Sequence, residues 1–158
     1  MNNDRIVWFG RYEGWLRHLA HGVKDGDEEC ILKAARLFDL MLPERCVIVP
    51  MPSHEGKATT MLRVARAARL GRAVCDILKC APHESSYAQK KAGMLPGQFK
   101  MSRKGPIRAT PEQMRGGVWI IDNVVCTGVT AGEALRAMSR GIANANARVC
   151  VLAASMWR

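Results

Sequence analysis

No apolar run in this chain comes near the about 18–20 residues that a membrane-crossing helix needs, so no membrane partner is expected. The opening residues, Met1-Asn2-Asn3-Asp4, carry neither the basic start nor the apolar stretch of a secretory signal, and the expected location is the cytoplasm. None of the six cysteines belongs to a Cys-x-x-Cys pair, and the four histidines add no zinc-like spacing, which argues against a structural zinc site. Cys46 and Cys150 stand in apolar, strand-like runs, where a thiol serves as a small buried hydrophobe, so reduced thiols are expected. Repeats and low-complexity segments are missing too, which excludes a solenoid and a long disordered tract.

Acidic residues are nearly absent from one stretch. Residues 57–115 hold 13 Lys/Arg against 3 Asp/Glu, which accounts for the whole formal net charge of +10. The counterpart of such a block is an anion: a polyphosphate, a nucleic acid, or both. A merely solvated basic surface is the plain alternative. In helical register, Arg63, Arg66, Arg69 and Arg72 form a drifting basic face opposite Leu62, Ala65 and Ala68, and solvation explains that face adequately.

The 158 residues, 48% hydrophobic and 24% charged, suit one soluble domain with a real core. The expected boundaries are a hood and first helices over 1–45 and a core over 46–158. Ile31–Met41 has a broad apolar helical face and stops before Pro43. Cys46–Pro50 is a short run enclosed by prolines and reads as a buried strand. Thr59–Leu70 reads as a helix stopped by Gly71, Ala73–Leu78 as a strand and Val118–Ile121 as a strong buried strand. Thr130–Arg140 reads as a helix and Arg148–Ala154 as a closing strand. Strands alternating with helices predict an α/β fold with a mostly parallel sheet. The segment Pro82–Gly117 breaks the alternation with four prolines, five glycines and many basic residues. Its composition predicts a flexible flap over about 82–117. Trp8, Phe9, Tyr12 and Trp15 are expected in the core or in the hood.

The chemistry is concentrated in Val118-Trp-Ile-Ile-Asp-Asn-Val-Val-Cys-Thr-Gly-Val-Thr-Ala-Gly-Glu133. A buried strand leads to a polar pair, Asp122-Asn123, then to the turn Cys126-Thr127-Gly128-Val129-Thr130 and a helix. Thr130-x-x-Glu133 has the form of a capping box, which places the helix start at Thr130. Backbone N–H groups entering a helix N-terminus suit an anion, and Gly128 lets the chain approach a phosphate closely. Thr127 and Thr130 add hydroxyl donors, and Asp122 and Asn123 can accept from vicinal hydroxyls. A lone Thr-Gly-x-Thr would be an ordinary helix start; the full string is more specific.

That string resembles the motif that binds phosphoribosyl pyrophosphate (PRPP) in type I phosphoribosyltransferases. Trp8-Phe-Gly-Arg-Tyr-Glu-Gly-Trp-Leu-Arg-His-Leu19 and Val47-Ile-Val-Pro-Met-Pro-Ser-His54 are similar to the corresponding stretches of the ComF (competence-associated) branch, and Ser86-x-x-Gln89 echoes its flap element. The resemblance implies that Asp122 and Asn123 meet the ribose as the catalytic pair. It implies further that Cys126, Thr127, Gly128, Val129 and Thr130 hold the 5-phosphate, and that Pro52, Ser53, His54 and Lys57 form the pyrophosphate loop. It implies Mg²⁺ bound with PRPP as cofactor, with no protein ligand to the metal assigned. The reaction implied is transfer of a phosphoribosyl group to a nitrogenous base or similar small-molecule nucleophile, with release of pyrophosphate. The alternative is a non-catalytic PRPP-binding or nucleic-acid-associated module of the ComF type, using residues 57–115. A homodimer is left open. Asn123 stands where the family carries a second acid, which implies that binding is kept and turnover slowed.

Overall fold

The computed structural model of the protein describes residues 5–55, 59–84, 88, 92, 93, 99–140 and 146–155. Seven strands and five helices follow the chain among these. They are β1 (Ile6–Arg11), α1 (Gly14–Asp25), α2 (Glu28–Met41), β2 (Val47–Pro50), α3 (Thr59–Ala67), β3 (Ala73–Val74), β4 (Leu78–Cys80), β5 (Met101–Arg103), α4 (Pro111–Met114), β6 (Val118–Val125), α5 (Val129–Ser139) and β7 (Ala147–Ala154). Five strands form one sheet in the order β1-β7-β6-β2-β3, and every pairing in it is parallel. The fold is α/β, as the alternation of elements predicts. β4 and β5 form a separate antiparallel pair.

The central strands are apolar on both faces because both faces are covered. On one side Ile48, Trp119, Ile121, Cys150 and Leu152 meet Leu19, Val23, Ile31, Phe38 and Val64 of α1, α2 and α3. On the other side Val47, Val49, Val118, Ile120 and Val149 meet Ala134 and Met138 of α5 together with Leu78, Phe99 and Met101. The strand period of two sends alternate residues to the two layers. Cys46 and Cys150 lie fully inside, and burial pushes their thiols up to about 11 and about 12.

Four details sharpen or correct the sequence expectations. The run Ala73–Leu78 is not one strand: Ala73 and Val74 extend the main sheet beside β2, and Leu78 begins the hairpin strand of the other sheet. The first 45 residues contribute the edge strand β1 and two helices of the main sheet's own layer. Trp8, Phe9 and Trp15 are exposed there rather than core, and Tyr12 alone of the four packs against the core. The part of the expected flap from Phe99 to Arg108 is anchored. β5 pairs with β4, Phe99 and Met101 are buried, and Cys75 Sγ donates to the Arg108 carbonyl at 3.3 Å. Residues 85–87, 89–91 and 94–98 of that segment, with Ser86 and Gln89, lie outside the described residues.

Arg72 also departs from a solvated helix face. Its guanidinium is buried, pairs with the Asp39 carboxylate, and donates to the Pro43, Ala68 and Leu42 carbonyls at 2.7, 2.8 and 3.1 Å. Those carbonyls belong to the ends of α2 and α3, where helices leave acceptors unsatisfied, so one side chain staples two helix C-termini. Arg63 bonds Glu28 and the Gly26 carbonyl, while Arg66 and Arg69 are exposed. At the α1–α2 corner Gly26 takes φ +82, and the Asp27 side chain then caps α2 by accepting from Cys30 N at 2.7 Å.

Candidate functional site: the crevice between β2 and β6

Strand order alone locates a crevice. From β2 the chain crosses through α3 to β3 on one side, and from β6 it crosses through α5 to β7 on the other. Right-handed crossovers in opposite directions place their helices on opposite faces, and α3 and α5 do lie on opposite faces. The loops leaving β2 and β6 therefore diverge, opening a gap at the carboxyl edge of the sheet where ligands of such folds bind. β2 and β6 are hydrogen-bonded neighbours, and Met51 N still donates to the Ile121 carbonyl at 2.9 Å beyond the end of β2. The two loops singled out in the sequence flank this gap.

The β6 side is built as follows. Gly128 is the N-cap of α5 and adopts φ +72, a conformation costly for any residue with a Cβ. The turn is thereby tight enough for α5 to start directly above the strand end. No side chain caps this helix, so the capping box expected at Thr130 and Glu133 does not form. Thr130 lies inside the first turn, and Glu133 is drawn to Arg136, which donates Nε at 3.0 Å. Thr127 Oγ1 accepts instead from Val129 N at 3.3 Å. The following N–H groups of the first turn, with no side-chain acceptor, are left for water or an anion. A true capping box sits elsewhere, between Thr110 and Gln113 at the start of α4.

β6 runs on through Val125, so Asp122 and Asn123 lie within the strand rather than after it. The alternation that turns Ile120 and Ile121 to opposite layers also separates this pair. Asn123 Nδ2 reaches the Ala20 carbonyl of α1 at 3.5 Å, on the α1 face. Asp122 points to the α5 face, and its Oδ1 accepts from Asn123 N at 2.8 Å. Burial of the Asp122 carboxyl pushes its pKa up to about 7, with the Asn123 N–H offsetting part of the rise. Val129 and Thr130 are half-buried, as are Thr127 and Gly128, while Cys126 is exposed. The structure thus gathers 126–130 at the gap but turns Asp122 and Asn123 to opposite faces of the sheet rather than presenting them as an adjacent polar pair.

On the β2 side Pro52, buried, leads to Ser53 and His54, which are half-buried. Ser53 Oγ accepts from Glu55 N at 3.3 Å. Lys57 lies outside the described residues. His54 and Glu55 share a cleft of about 640 Å³ with Pro82, His83 and Glu84. Sequence reasoning passed over His83. Its N–H donates to the His54 carbonyl at 2.9 Å, and its ring stacks on Phe99 with centroids 4.1 Å apart and planes 2° from parallel. Its Nδ1 lies 2.7 Å from the Glu84 carbonyl oxygen. A carbonyl can only accept, so the ring proton sits on Nδ1 and the neutral tautomer leaves Nε2 as an acceptor. The signal was available: Pro82-His83-Glu84 follows the apolar end of β4 much as Pro52-Ser53-His54-Glu55 follows β2.

Within the basic block, Arg63, Arg72 and Lys104 have internal carboxylate partners. Arg66, Arg69, Lys79, Lys100, Arg108 and Arg115 remain exposed. No helix among the described residues is long and apolar enough to cross a membrane.

No protein-family model matches the chain, and no curated protein sequence does. Among solved structures, the chain is similar to a purine phosphoribosyltransferase from Pyrococcus horikoshii Ot3, at 15% identity over 95% of this chain and 79% of that one, with a TM-score of 0.45.

Proposed function

We propose that the chain binds Mg²⁺-PRPP in the crevice between β2 and β6 and transfers its phosphoribosyl group to a nitrogenous base or similar nucleophile. The observation that carries this reading is the start of α5: a left-handed Gly128 places an uncapped helix N-terminus at the topological switch point, on the residues of the PRPP-like string. The 5-phosphate is taken by the N–H groups of Thr130 and Ala131, with those of Thr127 and Gly128, and by the Thr127 and Thr130 hydroxyls. Pyrophosphate faces the loop after β2, with Pro52, Ser53, His54 and Lys57. Asp122 accepts from the ribose hydroxyls. The acceptor nitrogen attacks the anomeric carbon, the bond to pyrophosphate breaks with its electron pair, and the acceptor loses a proton. The protein contributes position, phosphate neutralisation and exclusion of water.

Among the described residues no three His, Cys, Asp or Glu side chains converge as a metal site. The resemblance of the 118–133 string assigns the Mg²⁺ to PRPP itself, as part of the substrate. A second reading, binding without turnover, is favoured by one observation: Asn123 is turned towards α1, away from the face that carries Asp122. Pyrophosphate release from Mg²⁺-PRPP, screened against purine and pyrimidine bases, separates the two. Release with some base supports transfer. PRPP binding with no release from any base supports the binding module.

A further inference from the structure

β1 is the last strand of the main sheet, hydrogen-bonded among the described residues to β7 alone. Its sequence, Ile6-Val-Trp-Phe-Gly-Arg11, has no lysine and no proline, and its one charge, Arg11, stands at the end of the strand. Val7 is 37% exposed, Trp8 44% and Phe9 40%, and Trp15, 60% exposed, sets its ring edge-on against Phe9 at 6.0 Å. Four large apolar side chains thus surround an open row of backbone donors and acceptors.

The register of that row can be read. Tyr12 N donates to the Ala154 carbonyl of β7. In a parallel ladder the pattern repeats every two residues, so Gly10, Trp8 and Ile6 also direct their backbone groups at β7. Val7 and Phe9 direct theirs outward. The Arg11 carbonyl, next in the outward set, is already taken by Glu13 N at 2.8 Å. The free edge therefore offers the N–H and C=O of two residues spaced two apart.

We propose that this edge pairs with the same edge of a second copy of the chain, antiparallel, about a twofold axis through Trp8. Val7 of each copy lies opposite Phe9 of the other and exchanges two hydrogen bonds with it, four across the pair. Trp8 faces Trp8 of the second copy as a non-hydrogen-bonded pair, with Cβ atoms about 4.5–5.5 Å apart. The paired segment, 6–10, contains no charge. The whole formal excess of +10 sits in 57–115, and the parts of that block in α3 and β3 lie at the opposite edge of the sheet. The contact over 6–10 is thus uncharged, while at each end Arg5 of one copy lies across from Arg11 of the other, both exposed to water, where like charges weaken the pairing only modestly. The product is one continuous ten-stranded sheet. Its two β2–β6 crevices open in opposite directions, because the twofold reverses the strands.

Sedimentation velocity on the full chain at micromolar concentration tests this, with a mass near twice 17.5 kDa expected. Trp8→Lys places two ammonium groups face to face at the axis, and Val7→Pro removes an outward donor without touching the β7 ladder. Each is expected to give a monomer with unchanged circular dichroism. Amide exchange supplies the residue-level readout. Val7 and Phe9 amides are protected in the wild type and exchange freely in Trp8→Lys, while Trp8 and Gly10 amides stay protected in both. A wild-type monomer overturns the proposal, as does a dimer that both substitutions leave intact.

Discussion

At the residue scale, Asp122 and Arg72 show opposite ways of burying a charge. The Asp122 carboxyl has no cationic partner among the described residues, and burial moves it from its ordinary 3.8 to about 7. Between those two values the folded chain holds more protons than the unfolded one, so stability falls as pH rises through the window. The cost is complete above about pH 7 and vanishes below about pH 4. Asp122→Asn is thus expected to stabilise the protein at about pH 8 by on the order of 2 kcal/mol. The gain should shrink towards zero as pH falls, as urea unfolding at a series of pH values will show. A gain independent of pH would mean that Asp122 is ionised throughout. Arg72 is instead fully partnered, and its removal leaves three carbonyls without their donor and the partly exposed Asp39 carboxylate without its cation. Arg72→Ala is expected to cost about 3 kcal/mol or more, against at most about 0.5 kcal/mol for Arg66→Ala or Arg69→Ala at exposed sites. The same unfolding series checks all three. The spacing of the four arginines could not tell Arg72 from its neighbours, because its partners Asp39, Leu42 and Pro43 come from another helix.

At the element scale, helix starts and the hairpin carry the lessons. Thr130→Ala is expected to change stability little, within about 0.5 kcal/mol, since Thr130 caps nothing. Gly128→Ala is expected to cost about 1 kcal/mol through its positive φ. Thr110→Ala is expected to cost about 1 kcal/mol as a lost cap. Thermal melts rank the three, and a Thr130→Ala loss equal to that of Thr110→Ala would restore the cap at Thr130. The Thr-x-x-Glu pattern misled because Arg136, three residues beyond Glu133, offers that carboxylate a charged partner. A second departure lies in residues 99–117, where glycine, proline and lysine content outweighed the Phe99-Lys-Met101 alternation that seats β5. Trypsin is accordingly expected to spare Arg103 and Lys104 with or without PRPP, as mass spectrometry of the fragments will show. Early cleavage at either would contradict the pairing of β4 with β5.

At the scale of the whole molecule, the α/β architecture was legible because four apolar runs, 46–50, 73–78, 118–121 and 148–154, alternate with amphipathic helices. The main sheet uses residues from all four. The edge strand β1 was not legible, since its aromatic residues suit a core equally well and only the pairing with β7 decides. The two loops of the candidate site were legible from their residue types, and topology then brought them to one gap. Local pattern said nothing of how Asp122 and Asn123 divide between the two faces, because that depends on how far β6 continues. The central claim is that this gap holds Mg²⁺-PRPP on the uncapped start of α5. Isothermal titration of Mg²⁺-PRPP into wild type and Gly128→Ala tests it most directly. Saturable one-site binding by the wild type is expected, competed by ribose 5-phosphate and weakened at least about tenfold, some 1.4 kcal/mol, in a Gly128→Ala protein that remains folded. No heat of binding with wild type, or equal affinity in the two proteins, would contradict it.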